Sequence, residues 1–425
     1  MAKARGQNKM TDYDVAIIGA GPAGLAAALS ADKEKKKVLL IEREARMGGI
    51  LKQCIHDGFG LIRFGEKLSG CEYAARFVRE VECSSVERSL LTFVTRIEKK
   101  DGAFYLTLVT RSGMRTVTSK ALVLSTGCRE RTARQVSIMG TRPAGIFTAG
   151  TAQYYINILG EMPTKRCVIL GSGDIGLIMA RRFTLEGAKV VGVYEAKPTP
   201  SGLSRNIAQC LNDFDIPLYT SHTVTRVFGD DRLEAVTISE VDEKMKPIAG
   251  TEQTIECDAL ILSVGLIPEN ELAESLSIPL DKRTKGAFCD QNYMTMVDAA
   301  YVCGNALHVN DLVDYVSESG ESAGLAAAHY EEKKRELIDL ATDENFLYLV
   351  PSKLDVNAKR DKTVVFFRSR EVLENAEVVL TSNGKEVFHK KYRHLRPPEM
   401  ERIVVDLSGV KKGDVIKAEI WRAKK

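Results

Sequence analysis

Two copies of a strand, glycine turn and helix, with a strand-rich tail after them, predict an α/β chain. The expected architecture is two Rossmann-like three-layer dinucleotide-binding domains, the first discontinuous with the second inserted into it, plus a C-terminal all-β module. The first copy runs through residues 14–28, where an apolar strand leads into Gly19, Gly21 and Gly24. The second runs through 166–185, with Gly171, Gly173 and Gly176 at the same spacing. Beyond residue 343, short alternating segments are separated by Asn383-Gly384, Ser408-Gly409 and Lys412-Gly413, which read as strands and turns.

Each glycine of such a turn has its own task. The first makes the tight turn, the second lets the backbone approach a pyrophosphate, and the third allows close helix–strand packing. The helix that follows aims its N-terminus at the phosphates, where N–H groups and the dipole favour negative charge. Ala23 in the first turn, and Asp174 and Ile175 in the second, are counted with the cofactor contacts. An acid at the end of the next strand would hold the adenosine ribose hydroxyls. Glu42 follows the apolar run 38–41, and Glu195 follows 190–194. The distance from third glycine to acid is 18 residues in one copy (24 to 42) and 19 in the other (176 to 195). One such turn is weak evidence; two with matching geometry are specific. At Glu195 a carboxylate would repel a 2′-phosphate, which favours NAD(H), while Lys197 two residues on works against that preference.

Between the copies, the loop 46–56 carries Gly48 and Gly49, which let backbone approach something flat or charged. Residues 59–83 have mixed helical character, with Glu66, Leu68, Tyr73, Phe77 and Val78 as face residues. The period then changes to two over 91–99, 103–110 and 113–119, a β-meander with turns at Asp101-Gly102 and Ser112-Gly113. A buried strand from residue 121 ends in Thr126-Gly127. After the second copy come a helix with Asn206, Gln209 and Asn212, strands over 218–228 and 233–241, and a buried strand over 258–265 ending at Gly265, with Pro268 beyond. A strand from 299 ends in Gly304-Asn305, and a small-residue helix is expected over 317–336. The expected domains are 11–145 with 283–342, then 146–282, then 343–425. In the last, Phe366, Phe367 and Trp421 read as core.

The chain has 425 residues, 44% hydrophobic and 28% charged, with a net charge of +3 and no one-sided charge block. Nothing in this balance points to nucleic acid or an anionic membrane. The polar, basic segment 1–10 lacks the apolar core of a signal peptide, and no run of apolar residues suggests an integral membrane segment, so a cytoplasmic protein is expected. The nine cysteines (Cys54, Cys71, Cys83, Cys128, Cys167, Cys210, Cys257, Cys289 and Cys303) are scattered, and no two stand two to four residues apart. That spacing argues against zinc, an iron–sulfur cluster held by this chain alone, or a CxxC dithiol, and no metal site is expected.

With these motifs in this order, the chain resembles the two-dinucleotide flavoproteins of the pyridine nucleotide–disulfide oxidoreductase class. The resemblance implies that Gly19, Gly21, Gly24 and Glu42 bind FAD, and that Gly171, Gly173, Gly176 and Glu195 bind NAD(H). Thr126-Gly127 matches the family's first Thr-Gly step, and Gly265 with Pro268 the second. Gly304-Asn305 stands where the family has Gly-Asp against the ribityl and phosphate region; asparagine keeps a polar contact and loses a charge. Residues 48–60, 127–131 and 171–182 further resemble FAD-dependent subunits of multi-subunit dehydrogenases, such as those of opine oxidase, hydrogen cyanide synthase and sarcosine oxidase. Nearest in texture is the NAD/FAD subunit that accompanies a glycerol-3-phosphate dehydrogenase and a small cysteine-rich protein.

The resemblance implies hydride transfer between NAD(H) and flavin, with electrons passing to or from a small cysteine-rich carrier and a partner dehydrogenase subunit in an oligomeric complex. Alternatives are a self-contained NADH oxidase or diaphorase, and a largely structural assembly subunit of such a complex. A disulfide reductase needs a dithiol beside the flavin, which no spacing supplies. Lys52, Cys54 and His56, after the Gly48-Gly49 turn, are the catalytic candidates for tuning the flavin. Arg129, Arg131, His308 and Asn310 are weaker candidates for contacts nearby.

Overall fold

A computed structural model describes residues 11–358 and 362–422; segments 1–10, 359–361 and 423–425 lie outside the described residues. The chain forms two compact units. One contains the chain up to Lys52, then His56–Cys128 and Pro268–Lys425; the other contains Gln53–Ile55 and Arg129–Ile267. Apart from the three residues Gln53–Ile55, the chain crosses at 128/129 and 267/268, where the sequence-based boundaries were 145/146 and 282/283, and the strand-rich tail clusters with the first unit.

In the first unit, a seven-stranded sheet has the order Glu87–Ser89, Val38–Ile41, Tyr13–Ile18, Gly113–Leu124, Ala103–Thr110, Phe93–Lys100, with Ala300–Val302 also paired to Gly113–Leu124. The expected strands 113–119 and 121 onward are one. Its first half closes the antiparallel meander, and its second half runs parallel to Tyr13–Ile18 and Ala300–Val302. Strand Glu87–Ser89, parallel to Val38–Ile41, was not foreseen. Helix Gly70–Glu82 starts at a capping box: Ser69 Oγ accepts from Glu72 N, and Glu72 Oε2 accepts from Ser69 N at 2.8 Å. Of its expected face, Tyr73 and Phe77 are buried, with Ala74 and Val81 beside them, whereas Glu66 lies before the helix and pairs with Arg76.

Helix Pro22–Lys33 packs on helix Val313–Ala328, backbone close to backbone. A Cβ at Gly320 would stand 2.1 Å from the Ala23 carbonyl oxygen, and one at Gly324 2.2 Å from that of Ala27. The small-residue stretch therefore serves helix–helix contact. The helix is shorter than expected, and residues 337–342 form a strand of the C-terminal region.

That region is a sandwich. Its five-stranded sheet has the order Lys353–Asp355, Leu337–Thr342, Ile416–Arg422, Leu373–Ser382, Lys385–Leu395; its three-stranded sheet is Phe346–Val350, Thr363–Ser369, Glu401–Val405. Phe367, Leu349, Val365, Val378, Leu380, Ile403, Ile416 and Ile420 fill the space between. Trp421 is not core: it is 46% exposed, because Ile416, Ala418 and Ile420 take the inward alternation and leave it on the outer face.

The second unit has three layers. A parallel sheet has the order Ile146–Thr148, Ala259–Leu262, Arg166–Leu170, Lys189–Glu195, Leu218–Thr220. Cys167 and Ile169 face a core with the helix residues Leu177, Met179, Ala180 and Phe183, while Val168 and Leu170 face a core shared with Val224, Val236 and Ile238. The second face is covered by the sheet Met139–Gly140, His222–Phe228, Ala235–Glu240, Gln253–Glu256. The single strand expected over 218–228 is broken at Ser221 (φ +56°), and its halves enter different sheets. The expected Asn206–Asn212 helix is Ser204–Cys210, with Asn212 in a following 3₁₀ turn.

Candidate functional site

The two glycine turns are built alike, and the likeness extends beyond the glycines. Gly19 has φ +101° and Gly171 +95°, a region L side chains rarely adopt. Gly19 N donates to Ile41 O at 2.8 Å, and Gly171 N to Tyr194 O at 2.7 Å, so each turn is tied to the end of the next strand. A Cβ at Gly19 would meet Ser125 O at 2.4 Å, and one at Gly171 would meet Ser263 O at 2.1 Å. The third glycines are packed as tightly: a Cβ at Gly24 would stand 1.8 Å from Gly19 O, and one at Gly176 2.7 Å from Ser263 Cβ.

The middle glycines are different. Gly21 (φ −76°) and Gly173 (φ −65°) have backbones any residue adopts. A Cβ at Gly21 would find only Gly49 Cα, at 3.9 Å, and one at Gly173 only Ser263, nearest at 3.3 Å. Neither backbone conformation nor severe crowding accounts for glycine there; space for a phosphate does. Both are N-cap residues without a capping side chain of their own, so apart from Gly176 N, which Ser263 Oγ accepts at 3.1 Å, first-turn N–H groups are left for a ligand in the same space. The residues present therefore fit a pyrophosphate in each unit.

The strand-end acids complete each cradle. Glu42 is buried; its Oε2 accepts from Ala20 N at 2.8 Å and its Oε1 from Glu44 N at 2.9 Å. Glu195 is buried; its Oε2 accepts from Ser172 N at 3.0 Å, Ser172 Oγ at 2.6 Å and Ser201 Oγ at 3.1 Å, and its Oε1 from Lys197 N at 3.0 Å. In both copies the acid holds the amide of the residue after the first glycine. A carboxylate oxygen has two lone pairs; both oxygens of Glu42 and Oε1 of Glu195 accept one of these bonds each, which leaves acceptor capacity for ribose hydroxyls, while Glu195 Oε2 accepts three.

Several expected contacts act by positioning. Gly48 N donates to Ala20 O at 2.8 Å, and a Cβ on Gly49 (φ +56°) would stand 2.9 Å from Gly21 Cα, so this pair closes over the first turn. Ala23 packs beneath Gly304 (φ +61°), whose added Cβ would meet Ala23 Cβ at 2.8 Å. Asp174 Oδ1 accepts from Leu203 N at 2.9 Å and Asn206 Nδ2 at 2.7 Å, fixing the loop after Glu195, and Ile175 packs on the helix-side core. Thr126 Oγ1 donates to Glu269 O at 2.6 Å, and Gly127 O accepts Glu269 N at 2.9 Å. Gly265 (φ +102°) O accepts from Arg131 N at 3.1 Å. Asn305 Oδ1 accepts from Asn310 N at 3.0 Å and Asn310 Nδ2 at 3.2 Å.

The three catalytic candidates are divided between the units. Lys52 Nζ pairs with Glu44 and donates to Arg46 O at 2.8 Å. His56 Nδ1 lies 3.2 Å from Asp57 O, its ring 5.0 Å from that of Phe59. Cys54 Sγ lies 3.9 Å from Gln153 Oε1, and Gln53 Nε2 donates to Gly150 O at 2.7 Å and Gln153 Oε1 at 3.1 Å. None of the nine cysteines is in a disulfide. Burial raises the thiol pKa of Cys210, and pushes Cys257 and Cys303 up to about 12, so these remain thiols. His308 is 1% exposed, sealed between Tyr348 and Phe366, and burial with the Arg368 charge holds its pKa down to about 3.

Sequence reasoning missed Ser125 and Ser263. Ser125 Oγ donates to Ile18 O at 2.8 Å and Gly19 O at 2.9 Å, while Ser263 Oγ accepts from Gly176 N at 3.1 Å. The signal was present: Leu124-Ser125-Thr126-Gly127 and Leu262-Ser263-Val264-Gly265 repeat one pattern at the end of each closing strand.

Paired cradles in two α/β units define an oxidoreductase of the two-dinucleotide class. The chain belongs to the pyridine nucleotide-disulphide oxidoreductase family, whose model matches residues 13–320, and with it to the enzymes that use FAD and NAD(P)H. It is similar to hydrogen cyanide synthase subunit HcnB of Pseudomonas aeruginosa, 27% identical over 301 residues, which are 65% of this chain and 61% of that one. The match therefore spans less than two thirds of that relative. It is similar to an opine oxidase subunit of Agrobacterium tumefaciens, 23% identical over 383 residues, 85% of this chain and 72% of that one. Thioredoxin reductase of T. acidophilum shares the fold, with a TM-score of 0.62 at 22% identity over 75% of this chain and 98% of its own. Among the described residues, no helix is long and apolar enough to cross a membrane.

Proposed function

We propose that this chain is the flavin subunit of a multi-subunit dehydrogenase. In this reading the first unit holds FAD, the second holds NAD(H), and electrons pass to or from a partner dehydrogenase subunit, of glycerol-3-phosphate type or similar, and a small cysteine-rich carrier in the cytoplasm. The observation that carries the reading is the pair of matched cradles with room at Gly21 and Gly173. Bound together, the two cofactors supply hydride exchange between nicotinamide and flavin.

The chain's part is to bind and orient. The glycine turns admit the two pyrophosphates, Glu42 and Glu195 hold ribose hydroxyls, and the buried Glu195 carboxylate supports NAD(H) over NADP(H). Gly304 and Asn305 meet the flavin's ribityl and phosphate region. Lys52, Cys54 and His56 tune the flavin without taking part in the transfer. The partner assignment is supported by relatives named as subunits of hydrogen cyanide synthase and opine oxidase, and by nine cysteines with no CxxC among them.

The test is anaerobic addition of NADH to the FAD-loaded chain. The reading predicts prompt bleaching of the visible flavin band, and copurification of a second dehydrogenase from the native source. Retained colour with both NADH and NADPH, in protein that holds FAD, sinks it.

A further inference from the structure

The family match ends at residue 320, and the sandwich lies beyond it. Its strands nevertheless grip the segment that follows Gly304-Asn305. Arg368, on Thr363–Ser369, is central to this grip, with its side chain only 12% exposed. Its guanidinium pairs with Asp311, reaches Val309 O at 3.4 Å, and donates to Tyr348 Oη at 2.9 Å and to Pro398 O. Met400 N donates to the other Asp311 oxygen at 2.6 Å. Phe366 lies 5.2 Å from the His308 ring and 5.6 Å from that of Tyr315. Further along, Arg402 Nε donates to Glu318 Oε2 at 2.9 Å. Residues 308–318, the loop and first turns of helix Val313–Ala328, are thus held from the sandwich side at four points.

The loop passes this hold inward. Asn310 sits between the two residues anchored by Arg368, Val309 and Asp311. Its amide donates to His308 O at 2.9 Å, and its backbone and side-chain N–H groups both donate to Asn305 Oδ1. We propose that Arg368 is a positioning residue that sets the orientation of Asn305 through Asp311 and Asn310, making the sandwich part of the FAD site. Arg368 supplies the donors that tie Asp311 and Val309 O to Tyr348 and Pro398, so the loop loses this anchor when Arg368 is replaced. The inference rests on the reading that Asn305 faces FAD.

The experiment measures FAD affinity by titrating FAD into the full-length apoprotein, with thermal unfolding and the KM for NADH recorded in parallel. In Arg368→Met the FAD Kd should rise about tenfold at unchanged NADH KM, and Arg368→Lys, which keeps a cation beside Asp311, should recover to within about threefold. Asn310→Ala should lose FAD affinity to the same extent with little change in thermal stability, which keeps the test open should the arginine variant not fold. Val378→Ala, a cavity in the sandwich core, should lower stability and leave the FAD Kd near the parent value. FAD affinity within about twofold of the parent in both Arg368→Met and Asn310→Ala overturns the inference. So does an equal loss in Val378→Ala. A parent protein that takes up no FAD overturns the underlying reading as well, a failure distinct from the first two.

Discussion

Glu195 grips Ser172 twice, its Oε2 accepting from both the amide and the hydroxyl, at 3.0 and 2.6 Å. The first copy makes only the amide bond, from Ala20 to Glu42. The serine adds a polar clamp on the acid that, in the proposed function, holds the nicotinamide nucleotide's ribose. Glu195→Ala should therefore raise the KM for NADH, and shift the NADH/NADPH preference toward NADPH by about tenfold, roughly 1.4 kcal/mol. Steady-state diaphorase assays with both nucleotides check it; an unchanged ratio removes Glu195 from nucleotide selection.

The first and second glycines of a turn differ in backbone conformation and in surroundings, as their separate tasks require. Gly19→Ala forces a side chain into φ +101° and against Ser125 O, so it should destabilise the fold by about 2 kcal/mol or more. Gly21→Ala meets open space at ordinary φ and should leave stability within about 0.5 kcal/mol while weakening FAD binding sharply. Denaturant unfolding of the two apoproteins, with FAD titration of the second, distinguishes the roles.

Acid sensitivity should trace to His308. Its folded pKa, about 3, lies below the ordinary 6.5, so the unfolded chain binds the proton more readily and stability is lost as pH falls from 6.5 toward 3. Between pH 7 and 5 this amounts to about 2 kcal/mol, from 1.36 kcal/mol per unit. Asp290 works in the opposite sense. Burial raises it to about 6, so its contribution falls as pH rises from about 4 to 6. The comparison must therefore be between the parent and His308→Phe. The difference in their unfolding free energies should shrink with acidification over this range, and a pH-independent difference would put His308 outside the effect.

The cradles were legible because their chemistry is local. Gly19, Gly21, Gly24 and Glu42 carry their meaning in spacing alone, and so do their second-copy counterparts. Ser125 and Ser263 were harder, because they act from strands more than eighty residues from the turns they brace. Arg368 was illegible: its importance lies in Asp311 and Val309, which sequence cannot place beside it. Trp421 was misread by size, although alternation with Ile420 already put it outside. The 113–124 strand was split because its pattern becomes continuously buried from Ala121, just after Ser119, where it leaves the meander for the parallel sheet.

Cys54 was singled out by its place after Gly48-Gly49; in the structure its Sγ lies 3.9 Å from Gln153 Oε1, and it is in no disulfide. Cys54→Ser should keep NADH-driven flavin bleaching within about threefold in rate. Loss of bleaching would bring a thiol into the transfer.

The central claim is that the first cradle holds FAD and the second holds NAD(H), and Gly173→Val tests it most directly. The branched side chain fills the space left beside Ser263, where the nicotinamide pyrophosphate would pass. The account predicts a yellow protein with FAD bound at the parent stoichiometry, whose visible band no longer bleaches when NADH is added without oxygen. A colourless protein that has lost FAD, or a yellow one that bleaches at the parent rate, would contradict it.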